Sequence, residues 1–256
     1  MKLNLLLIFL CVVLMNTVNA KDYAIEVIIF VNEDGVRQNS EQFDPEVILP
    51  VPSNGISLFE DQTEIVVTGN SENIEIEEIN AEEQLWRLIP EEDYILYDQA
   101  RKLRNSSQYR ILKHFAWRQP VVDKQNAQPI LIEAGFNFSG LYPERTFQQV
   151  EFSDTDVYLE EEEENTGVWE LEGTINVVIT RYLHFYSDLV YRQERQNPLY
   201  IDDALQPEQV LVDYAVKSHR KMKSRELHYI DHPIVGILVE ATPIEEEEEE
   251  NLSELN

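Results

Sequence analysis

Over residues 173–189 apolar and polar side chains alternate almost without a break. A period of two is satisfied by a strand and not by a helix. Ile175, Val177, Ile179, Leu183 and Phe185, with Arg181 among them, fall on one face; Thr174, Asn176, Val178, Thr180, Tyr182, His184 and Tyr186 fall on the other. A greasy face opposed to an aromatic, hydrogen-bonding one is the pattern of an antiparallel sheet packed on one side. The wider run 168–192 reads as one long strand.

Other segments agree with a sheet protein. Residues 23–31 are rich in β-branched side chains and nearly continuous in apolarity, as in a well-buried strand. Residues 109–117, closed by Gln119-Pro120, then 129–134, about 211–229 and 234–241 read as further strands. Helical spacing appears over 81–108, where Leu85, Leu88 and Ile89, then Leu96, Ala100 and Leu103, repeat on one face with Pro90 dividing two helices. Glu91, Glu92 and Asp93 suit a first turn, and Arg101, Lys102 and Arg104 a last one. Residues 32–80 lose periodicity and carry Pro45, Pro50, Pro52, Gly55 and Gly69, so they read as an irregular excursion. The expectation is an α+β fold: a single domain over 21–243, dominated by an antiparallel β-sheet, with helices in the 81–108 region.

The first twenty residues read as a secretory signal peptide, with Lys2 ahead of an apolar run at 5–15 and Val18-Asn19-Ala20 as a small-residue cleavage site. Cleavage would leave Lys21 first. Cys11, the one cysteine, sits inside the apolar run with Phe9-Leu10 before it, so it lacks the setting of a lipid anchor. A mature chain without thiols relies on an ordinary core, not on disulfides. No later run has the roughly 18 apolar residues of a membrane span, so the expected location is the periplasm. With 49 acidic against 20 basic residues and a formal charge of -29, the chain would repel nucleic acid. Runs at 160–164 and 245–250, and a diluted stretch at 72–83, read as solvated loops, and 244–256 as an acidic disordered tail.

Against that charge, Arg220, Lys221, Lys223 and Arg225 put four cations within six positions. Read as strand, the run places Lys221, Lys223 and Arg225 on one face, ahead of a corner at His228-Tyr229-Ile230-Asp231-His232-Pro233. Arg220, Lys221, Lys223, Arg225, His228 and Tyr229 form a candidate set for an anionic glycan or peptide. Tyr182, His184 and Tyr186 form a candidate aromatic face. Trp117 and Trp169 also sit on strands with polar neighbours, where a sugar ring could lie on a flat ring face, although core packing is the commoner use of tryptophan. His228, Asp231 and His232 lack the spacing of a metal site, and no metal or other cofactor is expected. Gly-x-Ser-x-Gly is missing and no carboxylate pair stands out, so no enzyme is expected.

Four segments together, 23–30 (YAIEVIIF), 109–120 (YRILKHFAWRQP), 173–189 with its Arg-Tyr-Leu-His core, and 221–238 (KMKSRELHYIDHPIVGIL), make the chain resemble the CsiV family of periplasmic peptidoglycan-binding proteins of Gram-negative bacteria. The likeness runs from Tyr23 to about Pro243 and departs at Arg225, where a small residue is expected. It implies non-catalytic binding of peptidoglycan in support of cell-wall assembly and cell shape, with a wall synthase or its lipoprotein activator as partner. It supplies no catalytic or glycan-contacting residues. The alternative is a protein-interaction module that binds a synthase or activator without recognising glycan directly.

Overall fold

The computed structural model describes residues 21–33, 55–59, 66–68, 75–77, 86–145, 167–197 and 208–244; the expected signal peptide, the acidic runs at 160–164 and 245–250 and the tail beyond 244 lie outside them. Two antiparallel sheets share one apolar core. The first has the order β10-β11-β1-β5-β4, built from β1 (Lys21–Asn32), β4 (Arg87–Ile89), β5 (Tyr109–Val121), β10 (His228–Ile230) and β11 (Val235–Pro243). The second has the order β6-β7-β8-β9, from β6 (Ile130–Asn137), β7 (Trp169–Ile179), β8 (Leu183–Gln196) and β9 (Gln209–Met222). β2 (Val66–Thr68) and β3 (Glu75–Glu77) pair separately.

The central strand β1 is paired by β11 on one side and β5 on the other. Its Ile25, Val27, Ile29 and Val31 join Phe115 and Trp117 of β5, Ile175 and Val177 of β7 and Phe185 and Leu189 of β8 in the core between the sheets. Ile28 and Phe30, on the opposite face, pack with Ala100 of the helix α1 (Tyr97–Arg104) and with Leu96 at its N-cap. Coverage of both faces is why the strand reads as a continuous apolar run. Trp117, fully buried, donates its indole N–H to Gln119 Oε1 at 2.7 Å, and the Gln119 amide reaches the Val177 carbonyl at 3.3 Å, tying the first sheet to the second. Pro120 lies within β5 opposite Asp22 of β1 and beyond Arg118, where the pairing with β4 stops, so its missing N–H costs no bond to β4.

Several expectations are corrected. The architecture is mostly antiparallel sheet, with a single α-helix among the described residues, so the α+β description holds only roughly. Arg87–Ile89, expected on a first helix, is a short edge strand on β5, and Glu91–Asp93 is one 3₁₀ turn; the hydrogen bonds available along β5 outweigh a weak helical spacing. The run 168–192 is a hairpin, since β7 and β8 fold back on each other with Ile179 opposite Leu183. The basic run is not one strand: β9 ends at Met222, a turn follows, and β10 resumes at His228. Within the excursion, Leu58 is buried in the core, Ile56 bridges Ile130, and β2 pairs β3, so it is less irregular than its composition suggests.

Gly236 of β11 lies opposite Phe30 of β1. A Cβ at this glycine would collide with the Phe30 ring, which is held edge-on to Tyr109 at 5.4 Å and stacked on Tyr229 at 6.3 Å. Gly236→Ala is therefore expected to lower stability by about 1–3 kcal/mol, as overpacking does. Urea denaturation measures this, and an unchanged midpoint would show that Phe30 does not occupy the space above Gly236.

Candidate functional site

Pairing of β8 with β9 puts His184 opposite Lys221, Tyr186 opposite His219 and Asp188 opposite Lys217; on the other side β7 puts Val178 opposite His184 and Asn176 opposite Tyr186. Leu183, Phe185, Leu189 and Val216 are buried in the core, so strand alternation turns the intervening set to the opposite face, where Val178 is itself covered while His219 and Lys221 are exposed and His184 and Tyr186 half-buried. The tight turn at 180–182 adds Arg181 and the exposed Tyr182 to the same end of the sheet.

These rings form a short stack. Tyr186 lies parallel to His219, with centroids 4.3 Å apart and planes 5° from parallel, and His184 stacks on His219 at 5.1 Å. His184 Nδ1 is 2.9 Å from His219 Nε2, and its other nitrogen is 3.2 Å from Thr180 Oγ1. A doubly protonated imidazole has no acceptor nitrogen, so the bond between the two rings cannot survive with both charged. Burial, then the neighbouring His219, then the Lys221 ammonium hold the His184 pKa below the ordinary imidazole value.

Cations lie on the rings. Lys221 Nζ is 3.3 Å from the Tyr182 centroid, Arg181 is 5.6 Å from it, and Lys124, from the loop after β5, sits 4.6 Å above Tyr186. Several cations elsewhere find carboxylates, Arg118 with Asp22, Arg145 with Asp213, Arg192 with Glu172 and Lys217 with Asp188, whereas others, such as Lys102 and Arg220, stand without one among the described residues but away from these rings. Among the described residues Lys124, Arg181 and Lys221 have none within ion-pair distance.

The structure thus unites Tyr182, His184 and Tyr186 with Lys221 and separates the rest of the basic set. Arg220 sits opposite the core residue Phe185 in register, so alternation directs it away from the open face. Lys223 pairs with Glu226 at 3.1 Å inside the turn. Arg225 has φ 60° there, a left-handed conformation that favours a small residue, and its N–H donates to the Ala241 carbonyl at 2.9 Å. His228 Nε2 lies 3.1 Å from the Lys223 N–H, bracing that turn. Tyr229 stacks on Phe30 in the first sheet and donates its hydroxyl to Asp231 at 2.6 Å. His232 Nδ1 accepts from the Ile234 N–H at 3.3 Å, so His228, Asp231 and His232 serve separate local bonds. Among the described residues no three His, Asp or Glu side chains converge as metal ligands. Trp117 is a core residue, and Trp169 is half-buried at the opposite end of β7 from Val178.

A second ionisable cluster is closed beneath α1. Glu26 accepts from the N–H groups of Ile95 at 2.6 Å and Leu96 at 3.0 Å and from His114 Nε2 at 2.7 Å. Burial, with Glu26 beside it, raises the Glu240 carboxyl above its usual range.

Stacked rings with cations free of carboxylates among the described residues make this the candidate binding surface. The family model described as "Peptidoglycan-binding protein, CsiV" matches residues 2–244, and the chain belongs to the CsiV family. Comparison with curated proteins and with solved structures returns no match.

Removing the Lys221 charge takes away one of the three causes that depress His184. Lys221→Gln is therefore expected to move the His184 titration toward higher pH in an NMR titration of the imidazole signals. An unchanged midpoint would show that Lys221 does not sit over this end of the stack.

Proposed function

We propose that this chain is an exported, non-catalytic periplasmic protein that holds peptidoglycan on the outer face of β7, β8 and β9. In doing so it supports cell-wall assembly and cell shape alongside wall synthases or their activators. The observation that carries the reading is the set Lys124, Arg181 and Lys221, left without carboxylates in a chain of formal charge -29. A protein so acidic repels a carboxylate-rich polymer at long range, and contact requires a local reversal of sign. The family description and the expected secretory signal point to the same polymer and the same compartment.

The competing reading is an interaction module for a wall synthase or its activator. Leu88 on the edge strand β4 and Ile95 and Tyr97 at the start of α1 are exposed apolar side chains that favour it.

Sedimentation with purified, protein-free sacculi separates the two. Direct retention is expected, and Lys124→Glu with Lys221→Glu should weaken it at least about tenfold, the ratio set by roughly 1.4 kcal/mol. Lys223→Glu with Arg225→Glu, an equal change of net charge, should leave it intact. Retention should also fall as salt rises from about 0.05 to 0.5 M and the Debye length shortens. Retention only with a partner present would favour the interaction module, and retention indifferent to the first pair would remove this face as the site.

A further inference from the structure

Resting on that reading, we infer that the open face grips the carboxylates of the peptide stems and not the sugar rings of the glycan strand. A sugar needs a free aromatic face, with its C–H groups against the ring. Each of these rings already has partners: Tyr186 has His219 stacked at 4.3 Å and the Lys124 ammonium at 4.6 Å, and Tyr182 has Lys221 at 3.3 Å and Arg181 at 5.6 Å. A sugar would have to displace these groups, whereas a carboxylate meets them where they stand. Lys221, Lys124 and Arg181 offer charge-assisted hydrogen bonds that no protein carboxylate takes up among the described residues.

The paired imidazoles add a proton-linked donor. Protonating the second ring breaks the 2.9 Å bond between His184 and His219 and turns a nitrogen that served its neighbour into an N–H donor for the ligand. The charged groups around the pair leave the local balance positive. β9 brings Lys217 and Lys221, the 180–182 turn Arg181, and the loop after β5 Lys124. β8 brings Asp188, which Lys217 neutralises at 3.1 Å, and Asp123 in that loop is taken up by Asn126 at 2.7 Å. From β7 come only Asn176 and Val178, which do not titrate. An anionic ligand relieves this crowding, so it should bind more tightly as pH falls through the imidazole range.

The test uses the mature chain with three probes. Native sacculi are compared with sacculi whose carboxylates have been converted to neutral amides by carbodiimide coupling, which leaves the sugars unchanged. Soluble stem peptide and neutral N-acetylglucosamine oligomers serve as competitors. The expected result is at least tenfold weaker retention on amidated sacculi, with displacement from native sacculi by stem peptide and not by the neutral oligomer. Retention should strengthen between pH 7.5 and 5.5, and replacing both imidazoles, His184→Gln together with His219→Phe, which keeps a ring against Tyr186, should abolish that strengthening. Equal retention on native and amidated sacculi, or displacement by the neutral oligomer, would overturn the inference while leaving peptidoglycan binding in place. Failure to bind native sacculi at all would instead bring down the parent reading, and this inference with it.

Discussion

Burial of β1 on both faces organises the molecule. Its odd-numbered residues from Ile25 to Val31 need the second sheet, and Ile28 and Phe30 need α1. Glu26 is the one ionisable group in the stretch 25–31, and it is 3% exposed. A carboxylate so placed is tolerable only if its lone pairs are taken up. Two backbone N–H groups at the entry to α1 and the His114 ring take them. Leu96, at the N-cap of α1, has no capping side chain of its own, so the sheet supplies the cap from across the layer. Hydrogen bonds to a charged group contribute about 1.5–3 kcal/mol each against a high cost if left unmade, which makes Glu26 a device for fixing where the helix lies.

The same demand shapes the binding face. The second sheet has to give β1 its apolar side, so its other side is left for polar residues. At one end that side is closed by ion pairs, Arg145 with Asp213 and Arg192 with Glu172. At the other, the turn at 180–182 and the end of β9 bring rings and cations together without carboxylates among the described residues. The division between a neutralised end and an uncompensated one gives the face its direction. Peptidoglycan binding, proposed for this end, then needs no catalytic apparatus and no large motion.

Period-two alternation exposed the sheet and its open face, yet concealed the hairpin. Ile179 and Leu183 face each other across a three-residue turn, so the parity of the pattern passes through unchanged, and Thr180-Arg181-Tyr182 holds no glycine, proline or asparagine to mark a reversal. Tyr182, His184, Tyr186 and Lys221 were readable as candidates because chemistry and spacing sit in the local sequence. His219 and Lys124 were not: the first depends on the register of β9 against β8, the second on a loop leaving the other sheet. The basic run misled for the opposite reason. Four neighbouring cations look like one patch, but the end of β9 at Met222 and the left-handed Arg225 send them in different directions.

The most direct measurement is chemical-shift mapping of the isotope-labelled chain from Lys21 onward with a soluble muramyl peptide. The account predicts perturbations concentrated at Lys124, Arg181, Tyr182, His184, Tyr186, His219 and Lys221, with the turn at 223–227, β10 and α1 unmoved. Shifts centred on Lys223, Arg225 and Tyr229, or on Leu88, Ile95 and Tyr97, with the β8 and β9 rings undisturbed, would contradict it.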